Sequence, residues 1–349
     1  MEHLYEYVGF LARTATLLIA VLIVLSAIAA LAQKRQQQPQ GHLEIRKLNE
    51  HFTDLRYGMQ EALVPASMLR KVRKDEDKAR RAADKAAAKS LRKTGGEDPR
   101  PRVFVLDFDG DMQASAVKTL REEVTAVLTT AGAEDEVVLR LESPGGLVHG
   151  YGLAASQLAR VRDRGIPLTV CVDKVAASGG YLMAVVANRI LAAPFAVLGS
   201  IGVVAQIPNV HRLLKRHDVD VEVLTAGKYK RTLTVLGENT DEARQKFVEE
   251  LEEVHALFKS FVQGYRPQID LERVATGEAW HGQHAVDLAL VDALSTSDAY
   301  LVDRAEHADL FEVRWVETRR PLDRLLSQVE SRLDRLLERA IDRLRYWRG

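Results

Sequence analysis

The chain has a single cysteine, Cys171, in 349 residues, which excludes any intrachain disulfide. A lone thiol leaves the redox compartment open, and its place inside the apolar run 168–172 makes an inert buried side chain the expectation. Net charge is absent as well: 49 Lys and Arg balance 49 Asp and Glu, so no overall field draws the chain toward nucleic acid. The most basic stretch, 69–93, holds no aromatic residue on which bases could stack, and we expect no nucleic-acid partner. Clusters of metal ligands are lacking too. His281 and His284 form an H-x-x-H pair without a third ligand group nearby in sequence, so neither a metal nor a cofactor is expected.

One long uncharged run stands out. Thr14 to Ala32 is 19 residues without a charged side chain, close to the roughly 20 needed to cross a bilayer core. Residues 8–32 are therefore expected to form a transmembrane anchor. A cleaved signal peptide is the competing reading, because Ala30-Leu31-Ala32 resembles a small-x-small cleavage site. Against it, Glu2 and Glu6 make the leading segment acidic, and the apolar run exceeds the usual 7–15 residues. Lys34, Arg35, Arg46 and Lys47 follow the span while only Arg13 precedes it, which places the body of the protein in the cytoplasm by charge bias.

Residues 33–100 are polar and basic and are expected to form a helical stalk or linker beside anionic lipid headgroups. Gly95-Gly96-Glu97-Asp98-Pro99 closes that region. A folded domain is expected over 101–300. Apolar runs near 102–108, 137–141, 168–172, 189–192 and 219–224 read as buried strands, and they alternate with helical stretches such as 115–130, 151–162 and 241–265. This alternation argues a parallel α/β fold. Residues 301–349 form a C-terminal segment in which Leu322, Leu325, Leu326, Val329, Leu333 and Leu336 make a helical stripe. That amphipathic helix suits packing on the domain, on a second subunit or on a membrane surface.

The chemistry concentrates in glycine-rich turns. Val175-Ala176-Ala177-Ser178-Gly179-Gly180-Tyr181 places a serine between a strand and an apolar helix start, where backbone N–H groups favour developing negative charge. Upstream, Ser143-Pro144-Gly145-Gly146 ends another strand, and Gly145 or Gly146 can turn an N–H outward because no side chain blocks the approach. With the Gly179 N–H, such a loop makes a candidate oxyanion hole. Ser200 sits in a third glycine-bracketed turn, Gly199-Ser200-Ile201-Gly202. No histidine lies near Ser178 in sequence. A lysine serves as base only when neutral, and Lys228, Lys230 and Arg231 supply one another with positive neighbours. In an extended segment Lys228 and Lys230 share one side, so periodicity does not choose between them. Lys174, four residues before Ser178, reads as a surface or supporting charge.

These motifs together resemble the S49 serine peptidases of the signal peptide peptidase A type. The similarity is closest to the SohB branch, through RLESPGGLVHGYG at 140–152 and AGKYKRTLTVLGEN at 226–239. It runs roughly from Arg102 to Thr296. The resemblance implies a crotonase-like, ClpP-type spiral of ββα units and an acyl-enzyme mechanism. Ser178 is then the nucleophile, Lys230 the general base and Ser200 the hydroxyl that orients the lysine. It also implies peptide or unfolded-protein substrates, signal peptide remnants among them, homo-oligomeric assembly, and single-pass attachment to a bacterial inner membrane. The wider family suggests the periplasmic face, against the charge bias, and both orientations stand. Two alternatives accompany this reading: an acyl-CoA enzyme of the same fold, and a membrane scaffold whose peptidase core has decayed.

Overall fold

The computed structural model describes residues 41–65 and 100–317, with isolated positions (68, 74, 78, 82 and 85) between them. The expected anchor at 8–32, most of the stalk and the helix beyond 317 lie outside the described residues. Among the described residues no helix is long and apolar enough to cross a membrane. Leu43–Trp315 forms one compact unit.

The chain opens with β1 (Gly41–Lys47) and α1 (Leu48–Leu63), followed by β2 (Arg102–Asp109), α2 (Val117–Leu128), β3 (Glu136–Glu142) and α3 (Val148–Asp163). Next come β4 (Leu168–Val172), β5 (Val175–Ala177), α4 (Gly179–Ala184), β6 (Arg189–Ala192), β7 (Val197–Gly199) and α5 (His211–Arg216). The remainder is α6 (Asp241–Tyr265), α7 (Leu271–Val274), β8 (Ala279–His281), α8 (Gly282–Asp287), β9 (Ala293–Leu294), α9 (Ser297–His307) and β10 (Asp309–Glu317). A seven-stranded sheet has the order β1-β10-β2-β3-β4-β6-β9, and a three-stranded sheet has the order β5-β7-β8.

The strands from β10 through β9 pair in parallel, and their apolar runs are those of a sheet covered on both faces. Alternation along each strand divides two cores. Phe104, Leu106 and Phe108 face one cluster with Leu120, Val124 and Tyr151 from the helices. Val103 and Val105 face the other, with Leu48, Leu301 and Leu310. Cys171 belongs to this second cluster, and burial pushes its thiol up to about 12.

The folded unit takes in more chain than the sequence reading assigned to it. Residues 41–63, expected as stalk, supply an edge strand and a helix, because Leu48 is buried and Asn49 bonds the backbone of Ala305, Ala308 and Leu310. Residues 301–317, expected as part of the C-terminal segment, complete α9 and β10. The opposite correction applies to 219–224. Val219, Val223 and Leu224 are exposed in an irregular stretch, although the alternation Val-Asp-Val-Glu-Val suits a half-buried strand. Such a pattern needs a partner strand, and none of the described strands pairs there.

Candidate active site

The site lies where strands leave the small sheet side by side. β5 and β7 pair with Ala177 opposite Gly199, so Ser178 and Ser200 emerge next to each other. A parallel bridge between Ser143 and Ala176 brings in the end of β3, two positions before Gly145. All three turn positions have left-handed backbone: Gly145 at φ 90°, Ser178 at φ 50° and Ser200 at φ 52°. For a serine this conformation is strained. At Ser178, with ψ −118°, it makes the sharp strand-to-helix turn that exposes a nucleophilic hydroxyl in other hydrolases. The strain is held by paired backbone: Ser178 N–H donates to Gly199 O at 2.8 Å, and Ser200 N–H to Glu278 O at 2.6 Å. Below it, the buried Tyr181 hydroxyl anchors α4 by donating to Leu290 O at 2.8 Å.

The two loops differ in the N–H groups they offer. Gly145 N–H donates to Ser143 Oγ at 3.1 Å and is therefore occupied. Among the described residues, Gly146 N–H and Gly179 N–H have no protein acceptor, and both glycines line the same cavity as Ser178. Close packing explains the glycines. A Cβ on Gly146 would stand 2.1 Å from Met112 O, and one on Gly179 would stand 2.4 Å from Tyr151 Cγ. The helix behind Gly179 is only six residues long, so its dipole adds little and the N–H itself is the useful group.

The cavity holds about 300 Å³ and its walls are apolar. Leu182 and Val203 line it beside the serine, and Val254, Leu257, Phe258 and Phe261 project from α6. Among the described residues no histidine, lysine or arginine lines it. This wall was not legible in the sequence as a site, because α6 is more than sixty positions from Ser178 and its apolar stripe reads as ordinary core packing.

The two candidate lysines occupy a turn rather than an extended strand. Lys228 Nζ pairs with Glu242 at 2.8 Å, and hydrogen bonding to Glu242 and then to the Tyr229 side chain raises its pKa and holds it charged. The Lys230 side chain is exposed and makes no hydrogen bond or ion pair among the described residues, while its backbone N–H donates to Gly227 O at 3.1 Å. It does not line the cavity, and the structure does not bring it to Ser178. The segment that carries it, 203–240, has α5 as its only regular element among the described residues. Lys174 lies outside the cavity, exposed and paired with Glu142 at 2.9 Å.

Comparison with known proteins sets these residues in a family. The description "Peptidase family S49 N-terminal" matches residues 2–158, and "Peptidase family S49" matches residues 160–310. The chain belongs to peptidase family S49. The S49 assignment makes it a serine peptidase, and relatives across most of its length agree. "Probable protease SohB" of Haemophilus influenzae is 49% identical over 88% of this chain and 87% of its own length. "Probable protease SohB" of Buchnera aphidicola subsp. Schlechtendalia chinensis is 44% identical, over 87% of this chain and 100% of its own. "Protease 4" of Salmonella typhi is more distant, 30% identical over 50% of this chain and 28% of its own length.

Proposed function

We propose that this S49 peptidase is a membrane-anchored endopeptidase that cleaves unfolded or membrane-derived peptides, signal peptide remnants included, through a Ser178–Lys230 dyad. The observation that carries the reading is Ser178 on a strained turn at an apolar cavity, with two N–H groups left without protein acceptors. In this mechanism neutral Lys230 takes the Ser178 proton as Oγ attacks the scissile carbonyl. Gly146 and Gly179 N–H hold the oxyanion, each contributing about 3 kcal/mol to the barrier reduction. The lysine ammonium then protonates the leaving amine, and the same lysine activates the water that clears the acyl-enzyme. Ser200, one strand over, is the hydroxyl that orients Lys230.

The choice of lysine is supported by charge. Lys228 is tied to Glu242 as a cation, whereas the Lys230 side chain makes no ion pair among the described residues and is free to move to Ser178. In the working enzyme the 203–240 segment closes over the Ser178 turn and carries Lys230 with it. Homo-oligomeric association supplies the surface on which that segment folds, and burial there is the condition under which a lysine serves as a base. The cavity's apolar walls favour apolar side chains next to the cleaved bond, and the absence of basic lining groups disfavours the phosphates of an acyl-CoA. The uncharged run 14–32 anchors the chain, in our reading, as a single span in a bacterial inner membrane. The succession of large-sheet strand, small-sheet strand and helix at β4, β5 and α4 is read as one turn of a ββα spiral.

Hydrolysis of casein by the full-length protein tests the dyad. Ser178→Ala and Lys230→Ala are expected to lose at least about 10³-fold in kcat, with Lys228→Ala retaining activity. Activity retained in Lys230→Ala but lost in Lys228→Ala would move the base to the other lysine.

A further inference from the structure

Behind the glycine loop runs a buried chain of hydroxyl groups to which the mechanism assigns no role. Gly145 N–H donates to Ser143 Oγ at 3.1 Å, Ser143 Oγ lies 2.5 Å from Tyr151 Oη, and Tyr151 Oη donates to Asp111 O at 2.8 Å. Ser143 and Tyr151 are both fully buried. A tyrosine has one hydroxyl proton, and here it goes to a backbone carbonyl, which only accepts. Ser143 must therefore donate to Tyr151 and accept from Gly145. Every proton in the chain points the same way, from the glycine loop to Asp111.

Both ends of the chain are fixed. Asp111 Oδ1 accepts from Gln113 N at 3.1 Å and Ser115 N at 2.8 Å, and the adjacent Met112 O accepts from Leu147 N at 2.8 Å. With the Gly145 amide pinned inward, the next amide, that of Gly146, is the one left to face the cavity. The Tyr151 ring does a second task, because it lies directly against Gly179. One side chain thus supports both free N–H groups, the ring beneath Gly179 and the hydroxyl, through Ser143, behind Gly146. Burial raises the Tyr151 pKa above the ordinary tyrosine range, so the hydroxyl stays a neutral donor.

We propose that Tyr151 and Ser143 are positioning residues for the oxyanion hole, fixing the Pro144–Gly145 peptide and with it the loop from which Gly146 N–H meets the charge that develops in the transition state. The proposal rests on the serine-peptidase mechanism above. It predicts a loss confined to the transition state, since the apolar walls that bind the ground-state peptide are untouched.

Tyr151→Phe removes the hydroxyl and keeps the ring against Gly179. The expected result is a kcat about 10-fold lower with KM within about twofold, a fraction of the 10²–10³ lost when a hole donor is deleted outright. A peptide aldehyde, whose hemiacetal oxygen occupies the hole, should bind more weakly by the same factor. An uncleaved peptide should bind Ser178→Ala and Ser178→Ala/Tyr151→Phe equally. Ser143→Ala, which leaves Tyr151 its bond to Asp111, should reproduce the pattern and serves in its place if Tyr151→Phe does not fold. The double variant Tyr151→Phe/Ser143→Ala should lose little more than Ser143→Ala alone, as members of one chain do.

The proposal is overturned if kcat and aldehyde affinity stay at wild-type values in Tyr151→Phe and Ser143→Ala. It is equally overturned if uncleaved peptide is lost by the same factor as the aldehyde, which would mean general distortion of the pocket. Failure of the underlying mechanism looks different: Ser178→Ala would then cleave as well as wild type.

Discussion

Gly145, Ser178 and Ser200 leave neighbouring strands with positive φ, and of the three Ser178 lines the cavity. Glycine pays nothing for this conformation and serine does, so the serines are held by the β-ladder around them. Gly146 is limited by contact instead, since a Cβ would stand 2.1 Å from Met112 O. Gly146→Ala should therefore displace the loop and lower casein hydrolysis about 100-fold while circular dichroism stays unchanged. A second residue away from the site sets a pH dependence. Glu123 is buried on α2; Trp315 N–H donates to its Oε1 at 2.9 Å, while Oε2 has no partner among the described residues. Burial, with Asp107 nearby, raises its pKa from 4.5 to about 7. The folded state then holds a proton that the unfolded chain has released, so stability falls as pH rises from about 4.5 to about 7 and is level above. Glu123→Gln should remove this slope. Urea unfolding should find the variant more stable than wild type at pH 8, by up to about 3 kcal/mol, and near equal at pH 4.

At the level of elements, α6 forms an apolar wall of the cavity. Thr240 Oγ caps it by accepting from Ala243 N at 3.2 Å, and Asp241 and Glu242 sit in its first turn. Its limits were legible in the sequence, because cap, acidic first turn and apolar stripe agree over 241–265. Leu168–Val172 and Arg189–Ala192 were legible for a similar reason, as short apolar runs between turns. The strand expected at 219–224 was not realised, since alternation shows one apolar edge without showing whether a partner exists. The part α6 plays at the site was hidden for a different reason: residues that meet Ser178 only through the fold leave no spacing to read. Phe261→Ala should enlarge the cavity and shift preference toward larger apolar side chains. The ratio of kcat/KM between peptides carrying phenylalanine and alanine beside the cleaved bond should change about 10-fold or more.

For the whole molecule, the sheet extends to residues whose charges disguised them. Glu44, Arg46 and Lys47 gave 41–47 the look of a solvated linker, and the buried contacts of Leu48 and Asn49 reveal an edge strand and helix instead. Leu48→Ala should cost about 2–4 kcal/mol of stability if this segment belongs to the fold, read as a lower urea midpoint. The turns that carry Ser178, Gly146 and Gly179 were foreseeable because each motif carries its own turn chemistry. Which glycine of the Pro-Gly-Gly loop keeps its N–H without a protein acceptor among the described residues was not, because that depends on Ser143 and Tyr151 closing around it. Lys230 sits on the 203–240 segment, of which Val203 lines the cavity and Lys230 does not, and its approach to Ser178 is the step that the proposed dyad requires.

A peptidyl phosphonate with an apolar side chain beside its phosphorus, applied to the full-length protein and followed by peptide mass mapping, tests that step directly. One adduct is expected, on Ser178, formed by wild type and by Lys228→Ala and abolished in Lys230→Ala. An adduct on Ser200, or labelling of Ser178 that proceeds undiminished without Lys230, would contradict it.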